Sequence, residues 1–327
     1  MAARWAAARA GSCSSVRRSW VPAVAVVELV TDAAIGLVRT LRPKQWVKNV
    51  FVAAPLVFAQ HLTEPAYLWR TAAAVLAFCL LSGAVYTFND VRDVDADRAH
   101  PKKKLRPIAA GKLSERAALI SAAVLAAVAL AGCLAISGKL AMYAGIYLVQ
   151  NIAYSIKLKQ IAFLDVGMIA NGFLLRVLGG AAAIAVPASG WLLICTALLA
   201  TFLGFGKRAH ELAWAMRSAE PKATRASLAG YSLAPLRIAM YILAAASCAA
   251  YVAYTLDEHT MTMFGSERLV ISAPFVALAV LRFLFLALWW PKDDSPTEAM
   301  LKDPWFLLAA AGAVAAILYA IYGSSVG

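Results

Sequence analysis

The stretch TAAAVLAFCLLSGAVYTFNDVRDVDAD, residues 71–97, decides the fold. Its first eighteen residues are almost wholly apolar, and four aspartates then follow within eight positions. An apolar run of this length is enough for a helix to cross the hydrocarbon core of a bilayer, which takes roughly 17–25 residues. The aspartates therefore lie where a predicted membrane helix meets water, and this places the candidate chemistry at one membrane surface.

The composition of the whole chain agrees with a membrane protein. It is 62% hydrophobic and only 15% charged over 327 residues, whereas a soluble domain carries about 25% charged residues. Apolar runs of spanning length recur and predict an all-α, polytopic membrane protein of about nine transmembrane helices. The predicted spans lie near residues 35–60, 71–89, 115–137, 139–156, 161–185, 190–206, 234–255, 269–290 and 305–323. Together they form a predicted transmembrane domain over 34–327, preceded by a basic arm, 1–33, that is interfacial or disordered.

The positive charges predict the orientation of these helices. Of the 31 Lys and Arg residues, 26 fall in segments on the side of the N-terminus and three on the opposite side. Under the positive-inside rule this places the N-terminus in the cytoplasm of a bacterial cell, with the protein in the inner membrane. The long polar loops 90–114 and 207–233 lie on the same side, so we expect the active site to be cytoplasmic. Because the cations alternate with apolar runs, a nucleic-acid partner is not expected, and the bilayer is.

The aspartate cluster predicts a metal site. Asp90, Asp93 and Asp97 stand at i, i+3 and i+7, so a continuing helix would present all three on one face. Carboxylates at that spacing repel one another unless a cation lies between them, and Mg2+ prefers such oxygen ligands and is commonly shared with substrate phosphates. We therefore predict that these three residues are the metal-binding, catalytic residues. The alternative is a solvated acidic helix end that Arg92 and Arg98 stabilise.

Cationic segments on either side of the aspartates predict phosphate binding. The loop HPKKKLRPIAAGK, residues 100–112, follows the aspartates directly, and its Lys104 and Arg106 are candidates for holding phosphate oxygens. Upstream, the segment RPKQWVKN opens the first span and supplies Lys48 and Asn49. A Lys/Arg run beside a span is usually only a topology signal, and Lys48 together with the neighbouring tryptophan also suits an interfacial anchor.

A second polar group lies in the middle of the chain. Tyr154 and Lys159 end the fourth predicted span, and Asp165 opens the fifth. Arg176 follows Asp165 by eleven residues, about three helical turns, so the two should face one direction. An arginine inside a membrane span is costly and needs a polar cavity or an acidic partner. The sequence favours a ligand-lined cavity over a purely structural pair.

The segment GKRAHEL, residues 206–212, closes the sixth predicted span. Lys207 and Arg208 are further candidates for binding phosphates, and Glu211 accompanies them in the predicted substrate site. Lys207 and Glu211 also stand at i and i+4, so a simple helical ion pair is the alternative.

The motif NDxxDxxxD, which begins at Asn89, resembles the UbiA superfamily of intramembrane prenyltransferases. The resemblance covers most of the chain from residue 40 onward, and Asn89 is included in the predicted substrate site. The resembling segments are RPKQWVKN at 42–49, NDVRDVDADRAHPKKKLRPIAAGKL at 89–113, YSIKLK at 154–159, FLLRVLGG at 173–180 and GKRAHEL at 206–212. The resemblance implies nine helices around a central cavity open to the cytoplasmic side, with Mg2+ as the cofactor that binds a diphosphate.

Two of these segments, HPKKKLRPIAAG and GKRAHEL, resemble the phosphoribosyl-transfer branch of the superfamily. The resemblance implies transfer of 5-phosphoribose from phosphoribosyl pyrophosphate to a polyprenyl (decaprenyl) phosphate. The product would be a precursor of arabinose donors for cell-wall or other glycans, nodulation signals included. The sequence departs from the superfamily at the second acidic motif, since Ile169 stands four residues after Asp165, and this puts a second metal in doubt.

Two other functions remain open from the sequence. One is an aromatic prenyltransferase of quinone or haem biosynthesis, which would use the same aspartates for a prenyl diphosphate. The other is a transporter of a phosphorylated metabolite, which paired interrupted helices in repeated halves would favour. The oligomeric state also stays open, a homo-oligomer included.

Overall fold

The computed structural model describes residues 35–217, 226–265, 267–289 and 296–323 of the chain, and within them every regular element is a helix. The predicted N-terminal arm, 1–33, lies outside the described residues. The α-helices are α1 (35–40), α2 (Val50–Phe58), α3 (Pro65–Arg92), α4 (Val94–Ala99), α5 (Glu115–Ile136), α6 (Gly138–Ile156), α7 (Leu164–Ala183), α8 (Gly190–Arg217), α9 (Leu233–Thr255), α10 (Glu258–Phe264), α11 (Ala273–Leu288), α12 (Pro296–Lys302) and α13 (Pro304–Tyr322). Short 3-10 helices cover Pro43–Asn49, Lys103–Leu105, Leu158–Gln160, Ala226–Gly230 and Glu267–Ser272.

The all-α membrane fold is confirmed, but the count of nine spans is not. Seven helices in the described part of the chain are long and apolar enough to cross a membrane. The first predicted span is interrupted, because the 3-10 helix Pro43–Asn49 separates α1 from the nine-residue α2. The fourth predicted span forms α6, which is 19 residues long. It is not among the seven helices, because Lys139, Gln150 and Asn151 lower its hydropathy.

Two apolar cores hold the bundle together. The first joins α3, α5, α6 and α7 around Phe78 and Leu140, both fully buried. The second joins α8, α9 and α11 around Phe202 and Phe283, whose rings pack edge to face at 5.2 Å. Helix α7 contributes residues to both cores. Asp165 and Arg176, the two predicted site residues on α7, therefore lie on the helix that joins the two cores.

Close approach of α2 to α7 depends on glycine. A Cβ atom added at Gly180 would lie 1.9 Å from the carbonyl oxygen of Val52. No larger residue fits while the two helices stay at this separation, since such a contact is far inside van der Waals distance. The contact fixes α2, and the residues that precede it, against the middle of α7.

A small apolar cluster positions the cationic loop beside the aspartates. Ile108 is 1% exposed and packs with Val94 of α4, with Leu113 just before α5 and with Ala118 in the first turn of α5. Burying these side chains stabilises the loop by the usual hydrophobic contribution, on the order of 1.5–3 kcal/mol for a fully buried isoleucine. As a result the loop folds back over the end of α3, and this directs Arg106 towards the aspartates.

A cavity of about 560 Å3 lies at the opposite end of the bundle from the aspartates. It is formed by the end of α2, the start of α8 and the region around α9 and α10. Its wall is largely apolar and includes Phe58, Trp191, Tyr254 and Phe264. None of the residues that the sequence singles out as a candidate site residue lines it.

Candidate active site

The helix that carries Asp90, Asp93 and Asp97 is interrupted at Asp93. Helix α3 ends at Arg92, Asp93 has φ −98° and ψ 12°, and α4 starts at Val94. Two backbone hydrogen bonds still span the break, from Asp93 N to Asn89 O at 2.9 Å and from Asp97 N to Asp93 O at 2.8 Å. The prediction of one continuous helical face is therefore wrong in detail, because the chain kinks where Asp93 turns towards a different partner.

Asp90 and Asp97 converge on one cationic nitrogen. Nη1 of Arg106 donates to Oδ1 of Asp90 at 2.9 Å and to Oδ2 of Asp97 at 2.6 Å. Arg42 donates to the same Oδ1 of Asp90. Both carboxylates are almost fully buried, at 3% and 2% exposure, so each needs charged partners to remain ionised. The two arginines supply them.

Asp93 forms an ion pair with a third cationic residue, Lys159. Nζ of Lys159 is 2.8 Å from both carboxylate oxygens of Asp93 and 3.1 Å from Oδ1 of Asn89. The amide of Asn89 in turn donates to Oδ2 of Asp93 at 2.9 Å. The 3-10 helix Leu158–Gln160 that follows α6 positions Lys159, so predicted site residues from two separate segments meet here.

The aspartates fit a hard divalent cation only in part. Among the residues that the structure describes, no three carboxylate, histidine or cysteine side chains converge on a single point. The oxygens of Asp90 and Asp97, however, share a point that a cationic nitrogen now occupies. Two carboxylates completed by water and substrate phosphates are the usual protein contribution to a Mg2+ site. The pair therefore fits Mg2+, and Asp93 is not turned towards the same point.

Asp165 belongs to a buried cluster of its own. It is 0% exposed, as is Arg208, and Nε of Arg208 lies 2.7 Å from Oδ2 of Asp165. Tyr231 donates to Oδ1 at 2.6 Å and Ser227 to Oδ2 at 3.3 Å. Glu211 pairs with Nη1 of the same arginine. The cluster thereby joins the start of α7 and the segment before α9 to α8.

Tyr231 is a hydrogen-bond hub at this cluster. Its hydroxyl also accepts from the backbone N of Phe163 at 2.6 Å, a residue held at the unusual φ of 65°. Burial raises the pKa of Tyr231, and the hydrogen bond to Asp165 raises it further, so the phenol keeps its proton and acts as the donor. The tyrosine therefore fixes both the Asp165 carboxylate and the turn that starts α7.

Arg176 lies in a second buried cluster, apart from Asp165. Its Nε donates to Oδ1 of Asn49 at 2.7 Å, and its Nη2 donates to the hydroxyls of Tyr147 at 2.8 Å and Ser82 at 3.3 Å. The guanidinium also lies over the ring of Tyr147, 4.7 Å from its centroid. Asp165 and Arg176 do not form the purely structural pair that was the alternative to a ligand-lined cavity, since each is held by residues from other parts of the chain.

The remaining candidates surround these clusters. Lys48 is half-buried and within electrostatic range of Arg42 and Arg176. Tyr154 is half-buried and within range of Arg208. Lys207 is half-buried, and Lys104 is exposed in the loop beside Arg106.

Comparison with known proteins identifies the family. Residues 49–306 match the model of the UbiA prenyltransferase family. The chain belongs to the UbiA prenyltransferase family. Of the solved structures, one that is similar is the UbiA homolog from Archaeoglobus fulgidus bound to GPP and Mg2+, with a TM-score of 0.67 over 87% of this chain and 98% of that one. At 17% identity this likeness shows a shared fold.

Relatives within the UbiA family are more similar in sequence. The chain is 34% identical over 301 residues to the decaprenyl-phosphate phosphoribosyltransferase of Mycolicibacterium smegmatis. The aligned residues make up 87% of this chain and 92% of the relative. The chain is 37% identical over 262 residues to the protein of the same name from Mycobacterium tuberculosis, covering 79% and 85%. These matches confirm the predicted family and the prediction that the chain is an enzyme and an integral membrane protein.

Sequence reasoning missed three residues of these clusters, one that contacts Asp90 and two that contact Asp165. The sequence indicates Arg42 only as part of the segment that opens the first predicted span, because its partner Asp90 lies 48 positions further along the chain. Ser227 and Tyr231 gave no signal at all, because their partner Asp165 is more than 60 positions away. Only the resemblance of RPKQWVKN to other UbiA-family members pointed to Arg42.

Proposed function

We propose that this UbiA-family enzyme transfers 5-phosphoribose from phosphoribosyl pyrophosphate to a polyprenyl phosphate, with decaprenyl phosphate as the acceptor. One observation carries the proposal: Asp90 and Asp97 converge on a single cationic point at the end of a membrane helix. The extensive match to relatives named decaprenyl-phosphate phosphoribosyltransferase supports this donor and acceptor. The distribution of Lys and Arg supports a cytoplasmic active site in the inner membrane.

Asp90 and Asp97 are the residues that would hold Mg2+, whereas Asp93 is paired with Lys159. The bound metal would supply charge neutralisation for the departing diphosphate. The protein's own cations do the rest of the binding: Arg42, Arg106 and Lys159 already lie within hydrogen-bond distance of the carboxylates. Each can reach a phosphate oxygen that arrives at the same place.

The transfer itself needs no proton movement. An anionic oxygen of the lipid phosphate attacks C1 of the ribose, the bond from C1 to the diphosphate oxygen breaks, and diphosphate leaves with its electron pair. The lipid phosphate is already ionised at pH 7, so no general base is required. The enzyme's contribution is to hold donor and acceptor in line and to stabilise the charge of the leaving group.

The Arg208 cluster offers a second phosphate contact. Among the described residues, Nη2 of Arg208 is buried and has no hydrogen-bond partner. An unsatisfied buried donor costs about 1–3 kcal/mol, and a phosphate oxygen within reach would relieve that cost. Arg208, with Lys207 and Tyr154 near it, is therefore a candidate for the acceptor phosphate, while the lipid tail leaves sideways into the bilayer. The product would serve as a precursor of arabinose donors.

The test is a transfer assay with two arms on the same membranes. One arm receives ribose-labelled phosphoribosyl pyrophosphate with decaprenyl phosphate, and the other receives a labelled prenyl diphosphate with an aromatic acid acceptor. We expect label to enter the lipid fraction as a phosphodiester in the first arm only, and to require a divalent cation. Label in the second arm alone would replace the proposal with aromatic prenyl transfer.

Two variants keep the assay specific. Asp90→Asn is expected to abolish transfer, because it removes a buried carboxylate from the convergence point. Lys112→Gln alters an exposed cation of the same loop and is expected to transfer at the rate of the unmodified protein. Equal activity in the Asp90→Asn membranes, at equal protein level, would remove Asp90 from the mechanism.

A further inference from the structure

Arg106 lies at the point where Asp90 and Asp97 meet. Its Nη1 is 2.9 Å from one carboxylate and 2.6 Å from the other. A divalent cation shared by the same two oxygens must lie between them as well, at about 2.0–2.1 Å from each for Mg2+. The nitrogen and the metal therefore cannot both bind there, and one must displace the other.

The second arginine on Asp90 is held far more rigidly. Arg42 has φ 50°, directly precedes Pro43, and has its guanidinium 4.9 Å from the centroid of the Tyr86 ring. The preceding Leu41 packs against Gly83, where even an added Cβ would lie 2.7 Å from Leu41 Cδ2. A backbone fixed in this way leaves the Arg42 side chain little freedom to depart.

Arg106, in contrast, can move. The four residues before it, 102–105, are exposed. The two side chains are about equally exposed, at 26% for Arg106 and 28% for Arg42, so the difference lies in the backbone that carries each of them. The loop is anchored after Arg106 by the buried Ile108, so the guanidinium is tethered near the site without being enclosed in it. Of the two arginines on Asp90, Arg106 is therefore the one that can be displaced.

The charges decide when displacement occurs. Asp90 and Asp97 carry two negative charges, and Arg42 and Arg106 already balance them. A divalent cation that enters alone and displaces Arg106 leaves a net charge of +1 on the group formed by Asp90, Asp97, Arg42 and the metal, which is unfavourable in a medium of low dielectric constant. Diphosphate that enters with the metal supplies the missing negative charge and offers Arg106 new oxygen acceptors.

We propose that Arg106 is a positioning residue that holds Asp90 and Asp97 in register and is exchanged for the divalent cation only when the donor's diphosphate binds. The proposal rests on the proposed function, since it takes the diphosphate of the donor as the ligand. It makes metal binding depend on diphosphate. Arg106 then moves from the carboxylates to the phosphate oxygens.

The experiment measures Mn2+ bound to the purified full-length protein by equilibrium dialysis, at fixed free Mn2+, with and without inorganic diphosphate. We expect the unmodified protein to bind Mn2+ about tenfold more tightly when diphosphate is present. Arg106→Gln removes the competing cation, so it should bind Mn2+ alone about tenfold more tightly than the unmodified protein and gain less from diphosphate. Lys112→Gln, an exposed neighbour in the loop, and Arg106→Lys, which keeps the charge, should behave as the unmodified protein does.

Each result has a defined meaning. Equal affinity for Mn2+ alone in Arg106→Gln and the unmodified protein would overturn the exchange. If Arg106→Gln does not fold, the unmodified protein still decides, because Mn2+ binding that ignores diphosphate contradicts the proposal. An Asp90→Asn protein that binds Mn2+ as well as the unmodified protein would instead remove the metal site of the proposed function.

Discussion

Replacing Arg208 tests whether the buried cluster of Asp165, Arg208 and Glu211 stabilises the fold. Arg208 and Asp165 are both 0% exposed and lie 2.7 Å apart, and Glu211 pairs with the same guanidinium. Arg208→Gln would leave a fully buried carboxylate without its cation. Breaking a buried pair from one side costs about 3–5 kcal/mol.

Part of that cost is offset by the arginine's own unsatisfied nitrogen. Nη2 is buried with no hydrogen-bond partner among the described residues, and removing such a donor returns about 1 kcal/mol or more. The expected net loss is therefore about 2–4 kcal/mol. For a chain of this size that corresponds to a fall in the apparent Tm of about 5–10 °C.

The assay is thermal unfolding of the detergent-solubilised protein, followed by tryptophan fluorescence at one fixed scan rate because unfolding of such proteins is often irreversible. Arg98→Gln is the matched control, since Arg98 is half exposed and pairs with the exposed Asp95 and Glu115. It should change the apparent Tm by less than about 2 °C, as exposed pairs contribute little. The double variant Asp165→Asn/Arg208→Gln should be more stable than Arg208→Gln alone. Equal shifts for Arg208→Gln and Arg98→Gln would refute the reasoning.

Three further predictions concern stability and are read by the same unfolding assay. Gly180→Ala should lower the apparent Tm by several degrees, because its Cβ would meet the Val52 carbonyl oxygen at 1.9 Å. Gly167→Ala is the control and should leave the Tm unchanged, because the space around Gly167 is open. Equal effects of the two substitutions would contradict the tight contact. Tyr231→Phe should cost about 1–2 kcal/mol through its two lost hydrogen bonds, and no change in Tm would show that Asp165 is held without it. Asp303 accepts hydrogen bonds from Arg282, chiefly, and from the backbone N of Phe306, and these lower its pKa. Its stabilisation is therefore complete above the ordinary carboxyl range near pH 4 and is lost as the pH falls through the lowered pKa. Asp303→Asn should therefore lower the Tm at pH 7, and its difference from the unmodified protein should shrink as the pH falls below about 4; a constant difference would contradict this.

The helical membrane fold was predictable from the sequence because its determinants are local. A run such as 71–88 is long enough and apolar enough to identify a span without any knowledge of its neighbours. The residues at the break in α3 were predictable for the same reason. The break itself was not, since Asp93 turns towards Lys159, which lies 66 positions further along the chain.

The pairing of the polar residues inside the bundle was not predictable either. Helical spacing places Asp165 and Arg176 on one side of α7, but spacing says nothing about which helices pack there. Asn49 satisfies the arginine from 127 positions away, and Arg208 and Tyr231 satisfy the aspartate. Partners at such separations are set by the packing of the bundle, which a single sequence does not reveal.

Anomalous scattering from Mn2+ in crystals soaked with phosphoribosyl pyrophosphate tests the central claim most directly. The account predicts a Mn2+ peak within about 2.5 Å of an oxygen of both Asp90 and Asp97, with the diphosphate bound to it and the Arg106 guanidinium moved onto phosphate oxygens. A diphosphate bound elsewhere, or Arg106 still bridging the two carboxylates beside a bound donor, would contradict it.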